Sequence, residues 1–184
     1  MPSGERLVLE LDPAGWPSLR VEWDVGALRE LAARQQPGSG DGAPTWRLER
    51  EPDWERAGAV RLISASFEDG ALLGVAALRP HGAAGHDADV IAAILISPEG
   101  EVAQLHEALL STEYGPDGRA RRLGLELYES SSGPPIRIVA DRIADAREGV
   151  GDEVGESDGG EQTPLTLRME GTPGTGLHEL IRAT

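Results

Sequence analysis

The feature that most constrains the fold of this chain is a succession of short segments in which apolar and polar residues alternate. Residues 7–12, 19–25 and 123–127 are the clearest cases, and turn-forming residues separate such segments along the chain. A period of two places every second side chain on one face of a β-strand. The alternation therefore predicts a mainly β chain whose strands have one buried face.

Turn sequences join these segments into hairpins. Asp69-Gly70 lies between the strand-like segments 59–68 and 71–79. The segment Pro98-Glu99-Gly100 separates 89–97 from 101–106, and Gly115-Pro116-Asp117-Gly118 separates 109–114 from 120–129. These links are too short for a helical crossover, so consecutive strands are expected to pair antiparallel.

The strand count and the chain length predict one closed or stacked β domain. Residues 26–34 are the one segment with helical spacing, so we expect at most one short helix. About nine to eleven strands need a barrel or a two-sheet sandwich to protect their edges. We expect 1–184 to form a single domain.

Residues 147–162 are rich in Gly and acidic residues and predict a disordered loop within this domain. Closing strands are expected at 164–169 and 176–182.

The charge of the chain limits the classes of partner. Lys and Arg number 17, all of them Arg, against 32 acidic residues, for a net charge of −15. A negative field of this size repels phosphate backbones and anionic lipids, so we expect neither nucleic acid nor a membrane as partner. The chain has no signal-peptide pattern and no membrane-length apolar run, which predicts a cytoplasmic protein. The absence of Cys excludes disulfides and leaves the redox compartment open.

One stretch of the chain is similar to a known group of proteins. The stretch 59–142 contains Phe67-Glu68-Asp69-Gly70, a Gly74–Pro80 strand, the Ser97–Val102 hairpin, and Ser111–Arg122 followed by alternating Leu. This order resembles the C-terminal half of uncharacterised actinobacterial proteins related to the hydroxyneurosporene synthase and AttH-like group. Gly174–Leu180 resembles the Gly-rich strand near the end of those relatives.

The resemblance implies a lipocalin-like (calycin) barrel that holds an apolar molecule. Some members of that group add water to isoprenoid double bonds. Those relatives often carry two barrels, whereas this chain has room for one, and no catalytic motif of the group transfers to a residue here.

Two histidines flank a Gly/Ala loop and are the candidate metal ligands. His81 and His86, followed by Asp87 and Asp89, place nitrogen and oxygen donors within nine residues. The loop between the histidines fixes no common face, so a polar hairpin loop is the favoured interpretation. We predict no metal and no cofactor.

The candidate catalytic residues are His106, Glu107, His178 and Asp89. A carboxylate raises the pKa of a nearby imidazole toward neutral pH, which suits acid–base chemistry. Neighbours on a strand point to opposite faces, however, so neither His106 nor His178 reaches the Glu that follows it. Each would need a partner from another strand.

The candidate ligand-binding residues are tryptophans of the first third of the chain, Trp23, Trp46 and Trp54. Their rings could line an apolar pocket, although packing in the core or at its rim is the more common role.

Together these features predict a non-catalytic, lipocalin-like domain that binds a small apolar ligand. The first alternative is a hydratase or isomerase acting on a hydrophobic, isoprenoid-like substrate. The second is an acidic module that docks a basic protein partner. An inward-facing titratable group beside a cavity would favour the enzyme.

Overall fold

A computed structural model of the protein describes residues 6–16, 18–33, 45–84, 86–103, 105–143 and 161–182. Residues 147–160 of the predicted acidic loop lie outside these ranges. Glu161 and Gln162, which were predicted to end that loop, belong to a strand instead. No helix of the described part is long and apolar enough to cross a membrane.

The described residues form twelve strands and one α-helix, and the prediction of a mainly β, antiparallel meander is confirmed. The strands are β1 (Arg6–Leu11), β2 (Leu19–Asp24), β3 (Trp46–Leu48), β4 (Ala57–Phe67), β5 (Leu72–Pro80), β6 (Val90–Ile96), β7 (Val102–Ala103), β8 (Glu107–Tyr114), β9 (Ala120–Tyr128), β10 (Ile136–Arg142), β11 (Glu161–Met169) and β12 (Thr172–Ile181). The helix α1 spans Val25–Ala33, and a single 3-10 turn covers His86–Ala88.

Nine strands make one antiparallel sheet that curls into a half-barrel. Their order is β7-β6-β5-β4-β12-β11-β10-β9-β8. Consecutive strands pair from β4 to β7 and from β8 to β12, and β12 returns to pair with β4. The two edge strands, β7 and β8, follow each other in the chain with only residues 104–106 between them. Such a short link holds the two edges of the sheet close together. The two edges meet at a seam, where β8 lies beside β6 without pairing with it.

The smaller sheet, β1-β2-β3, and α1 cover the outer face of the half-barrel at β4, β5, β6 and β12. Asp24 caps the helix by accepting a 3.0 Å hydrogen bond from the Ala27 amide. Both faces of β4 and β5 are covered. Strands buried on both faces are typically nearly continuous apolar runs, and these two strands fit that pattern.

The concave face of the half-barrel has its own apolar core. Its buried members include Ile63, Phe67, Leu73, Leu123 and Leu165. On β8 and β9 this face alternates with an outer face that is exposed or half-buried, which confirms the predicted strand amphipathicity at 123–127.

The last hairpin differs from the prediction. The turn lies at Glu170–Gly171, both at positive φ, and the Gly-rich segment after it is already strand. Gly174 lies against Phe67, where a Cβ would come within 2.6 Å of the ring. Gly174 and Gly176 have no side chain and so permit β12 to approach β4 closely. For that reason residues 172–176, although rich in Gly, are extended and belong to the strand.

Candidate functional site

The concave face of the half-barrel turns polar at one end. Arg61, near the start of β4, is the buried charge at the centre of this region and is only 2% exposed. Its Nη1 donates a 2.8 Å hydrogen bond to Thr112 Oγ1 on β8, which lies across the seam. Its Nη2 pairs with the Asp89 carboxylate.

A second arginine shares the same carboxylate. Arg79, at the end of β5, donates from Nε to Asp89 Oδ1 at 3.0 Å and from Nη2 to Oδ2 at 3.2 Å. The Asp89 side chain is fully buried. Hydrogen bonding to this carboxylate raises the pKa of Arg79. Arg61, Arg79, Asp89 and Thr112 are hereafter called the arginine cluster.

His178 faces the same interior from β12, beside Ile63 of β4. It is 1% exposed, and its Nε2 has no hydrogen-bond partner among the described atoms. Burial, with a smaller contribution from the charge of Arg61, lowers its pKa to about 4. The imidazole is therefore neutral at neutral pH and has no carboxylate partner in the described part of the chain.

Glu179 lies on the opposite face of β12, as strand alternation predicts. It accepts hydrogen bonds from Trp46 Nε1 and, at 2.7 Å, from Gln162 Nε2. Burial raises the pKa of this carboxyl. His178 and Glu179 thus belong to two different cores and do not form an acid–base pair.

The seam opens into a groove of about 900 Å³ that follows β8. Asp87, Asp89 and Ile91 line one side of it. On the other side lie His106 and residues 107–112 of β8, and β9 and β10 contribute residues that include Val139. Among the sequence candidates, Asp89, His106 and Glu107 are therefore brought to one groove.

Those three residues occupy different environments within the groove. Asp89 is engaged by two arginines, whereas His106 and Glu107 are exposed at the start of β8. The His106 backbone amide donates to the Tyr128 carbonyl at 2.6 Å. His106 was predicted to end the preceding strand, but that strand ends at Ala103.

The tryptophans predicted to bind ligand lie between the small sheet and the half-barrel or near it. The Trp23 indole is buried on Gly74 and donates to Ser64 Oγ at 3.2 Å. Trp46 is bonded to Glu179, and the half-buried Trp54 donates to Glu51 Oε1 at 3.1 Å. The observed contacts are packing contacts and hydrogen bonds within the protein, and a ligand-binding role for these rings stays a prediction.

The candidate metal ligands lie in the segment between β5 and β6. His81 is exposed just after β5, and His86 begins the 3-10 turn. The described residues contain no group of three His, Asp or Glu side chains placed to hold a metal ion.

The site residues predicted from the sequence do not include Arg61, Arg79 or Thr112. One signal for the site was present in the sequence. Arg61 interrupts the apolar run of β4, and a charge within a strand buried on both faces needs a partner.

Comparisons of this chain with models of protein families, with curated proteins and with solved structures find no match.

Proposed function

We propose that this chain is a lipocalin-like domain that binds a small apolar molecule in the seam groove without transforming it. The observation that carries the proposal is the apolar surface gathered there. Among the described residues four large apolar side chains are exposed, and two of them, Leu109 and Val139, line this groove. Apolar surface concentrated in one concavity is typical of a ligand site.

The size of the groove supports the same proposal. Its volume of about 900 Å³ falls in the range of roughly 300–1,000 Å³ that is typical of small-molecule sites. Leu109 and Val139 point outward from β8 and β10, whereas Ala108 and Leu110 of β8 and the half-buried Ile91 belong to the concave core behind them. An apolar ligand would cover Leu109 and Val139 and remove them from water.

The titratable groups favour binding over catalysis. Asp89 is bound to Arg61 and Arg79, and His106 and Glu107 are exposed at the rim. His178, the buried and unpartnered imidazole, is not among the residues that line the groove. A general acid for double-bond hydration would need to reach the substrate from a protected position.

Two measurements test the binding proposal. Native mass spectrometry of the protein purified from its own host is expected to detect a bound apolar molecule. In vitro, the neutral dye Nile red is expected to bind with enhanced fluorescence. Leu109→Glu should weaken dye binding by roughly tenfold or more, because the bound dye would desolvate the new carboxylate.

Val8→Glu is the matched control, because Val8 is an exposed apolar residue on β1 outside the groove. It should leave dye binding unchanged. The proposal is wrong if no apolar molecule is retained and the dye fails to bind, or if both variants bind the dye like the wild type. Conversion of the retained molecule by the protein would favour the hydratase or isomerase alternative.

A further inference from the structure

A second cavity, of about 340 Å³, opens on the other side of the arginine cluster. Its charged lining consists of Arg61, Arg79 and Arg182, and no Asp or Glu is among the described residues of its wall. His81 and Tyr114 add polar groups at the same cavity. A wall of this charge is unexpected in a protein with 32 acidic and 17 basic residues.

The charge of this wall is only partly compensated. Asp89, buried behind the cavity, is the carboxylate that pairs with Arg61 and Arg79. Arg182 is exposed and makes no ion pair with any described residue. Arg61 and Arg79 share one carboxylate and Arg182 adds a third guanidinium, so the described residues of the wall carry an excess of positive charge.

The buried arginine also has an unused donor. Arg61 Nη1 and Nη2 are engaged by Thr112 and Asp89, but Arg61 Nε is buried and has no hydrogen-bond partner in the described structure. A buried charged donor without an acceptor is rare and unfavourable. Because Arg61 itself lines the cavity, an oxygen of a bound anion would supply the missing acceptor.

We propose that this cavity, hereafter the arginine pocket, binds a small oxyanion, namely the carboxylate or phosphate group of a small molecule. Guanidinium groups match the geometry of both groups and form short, charge-assisted hydrogen bonds to them. Arg61 and Arg79 are held in place by Asp89, and the exposed Arg182 lines the same cavity. The proposal does not depend on the apolar groove, since it uses different lining residues.

The test measures anion binding at the arginine side chains by NMR. Nε–Hε signals of ¹⁵N-labelled protein are recorded by NMR while sodium phosphate or sodium acetate replaces sodium chloride at constant ionic strength. A saturable shift of the Arg61 signal with either anion is expected. The anion that binds more tightly identifies the headgroup, phosphate or carboxylate.

Arg182→Gln and Arg29→Gln form the matched pair of variants. Both remove one exposed arginine that has no ion pair among the described residues, and Arg29 lies on α1, away from the pocket. Arg182→Gln should weaken anion binding by roughly tenfold, the loss expected for one charge-assisted hydrogen bond. Arg29→Gln should leave it unchanged.

Several results would overturn the proposal. One is a shift that is linear in anion concentration, and another is a shift spread over all arginines. Equal affinities of the two variants would do the same. Nile red binding by Arg182→Gln is expected to equal that of the wild type, so failure of the arginine pocket and failure of the apolar groove are separate results.

Discussion

At the scale of single residues, a glycine determines how the two layers of the protein meet. The Trp23 indole lies flat on Gly74 of β5, where a Cβ would come within 2.9 Å of the ring. Trp23 Nε1 also donates to Ser64, whose hydroxyl lies 2.7 Å from Thr45 Oγ1. The contact anchors the small sheet to the half-barrel through both packing and hydrogen bonding.

Gly74→Ala is therefore expected to destabilise the protein by about 1–3 kcal/mol, the usual cost of overpacking a core. Gly58→Ala is the control, because its nearest neighbour would lie 3.4 Å from the added Cβ. That change should have little effect. Urea denaturation measures both variants, and equal losses of unfolding free energy would refute the packing explanation.

The buried His178 predicts how stability depends on pH. Its pKa falls from 6.5 to about 4 on folding, so the unfolded chain takes up a proton first as the pH decreases. The free energy of unfolding is therefore highest above pH 6.5 as far as His178 is concerned, and this contribution is lost as the pH falls from 6.5 toward 4. A shift of this size corresponds to ~3 kcal/mol.

His178→Gln should remove that contribution, and the exposed His81→Gln should not. The test compares the unfolding free energy of each variant with that of the wild type at several pH values across this window. A difference between wild type and His178→Gln that stays constant with pH would contradict the prediction.

At the scale of secondary-structure elements, Asp89 ties the open end of the half-barrel together. Through Arg61 and Arg79 it links β4 and β5 to the start of β6, and Arg61 continues to Thr112 on β8. The two arginines share one fully buried carboxylate. Loss of one partner of a buried ion pair costs far more than loss of a surface pair.

Asp89→Asn is expected to destabilise the protein by about 3–5 kcal/mol, because it leaves two arginines without their counter-charge. Asp87→Asn, two residues away in the exposed 3-10 turn, is the matched control and should have almost no effect. Thermal and chemical denaturation measure both. The structural role of Asp89 is wrong if the two variants are equally stable.

At the scale of the whole molecule, burial is distributed unevenly around the half-barrel. The small sheet and α1 cover β4, β5 and β12, whereas β8 forms an edge at the seam and exposes alternate side chains. Strands buried on both faces open only with much of the structure, while edge strands open locally.

Hydrogen exchange should follow this asymmetry. We expect the slowest amide exchange on β4, β5 and β12 and the fastest strand exchange on β7 and β8, measured by mass spectrometry of peptic fragments. Uniform protection of all nine strands, or protection of β8 equal to that of β4, would contradict a half-barrel with an open seam.

Local sequence signals predicted the strands and most of their turns. The alternation at Leu123, Leu125 and Leu127 and the Asp69-Gly70 turn depend on residues close in the chain, so they can be read without the fold. The position of α1 followed from helical spacing in the same way. Hairpin pairing followed because the links are too short for other connections.

Only the tertiary structure decided the site. Arg61 and Asp89 are 28 residues apart and Arg61 and Thr112 are 51 apart, and their contacts exist because the sheet curls and brings β8 back to β6. The extended conformation of the Gly174 segment likewise depends on Phe67 of β4. Alternation determined by itself that the chain forms antiparallel strands, because the period of a strand is local. The curvature of the nine-stranded sheet determined which charges are buried and where the seam lies, because the burial of a side chain depends on residues distant in the sequence.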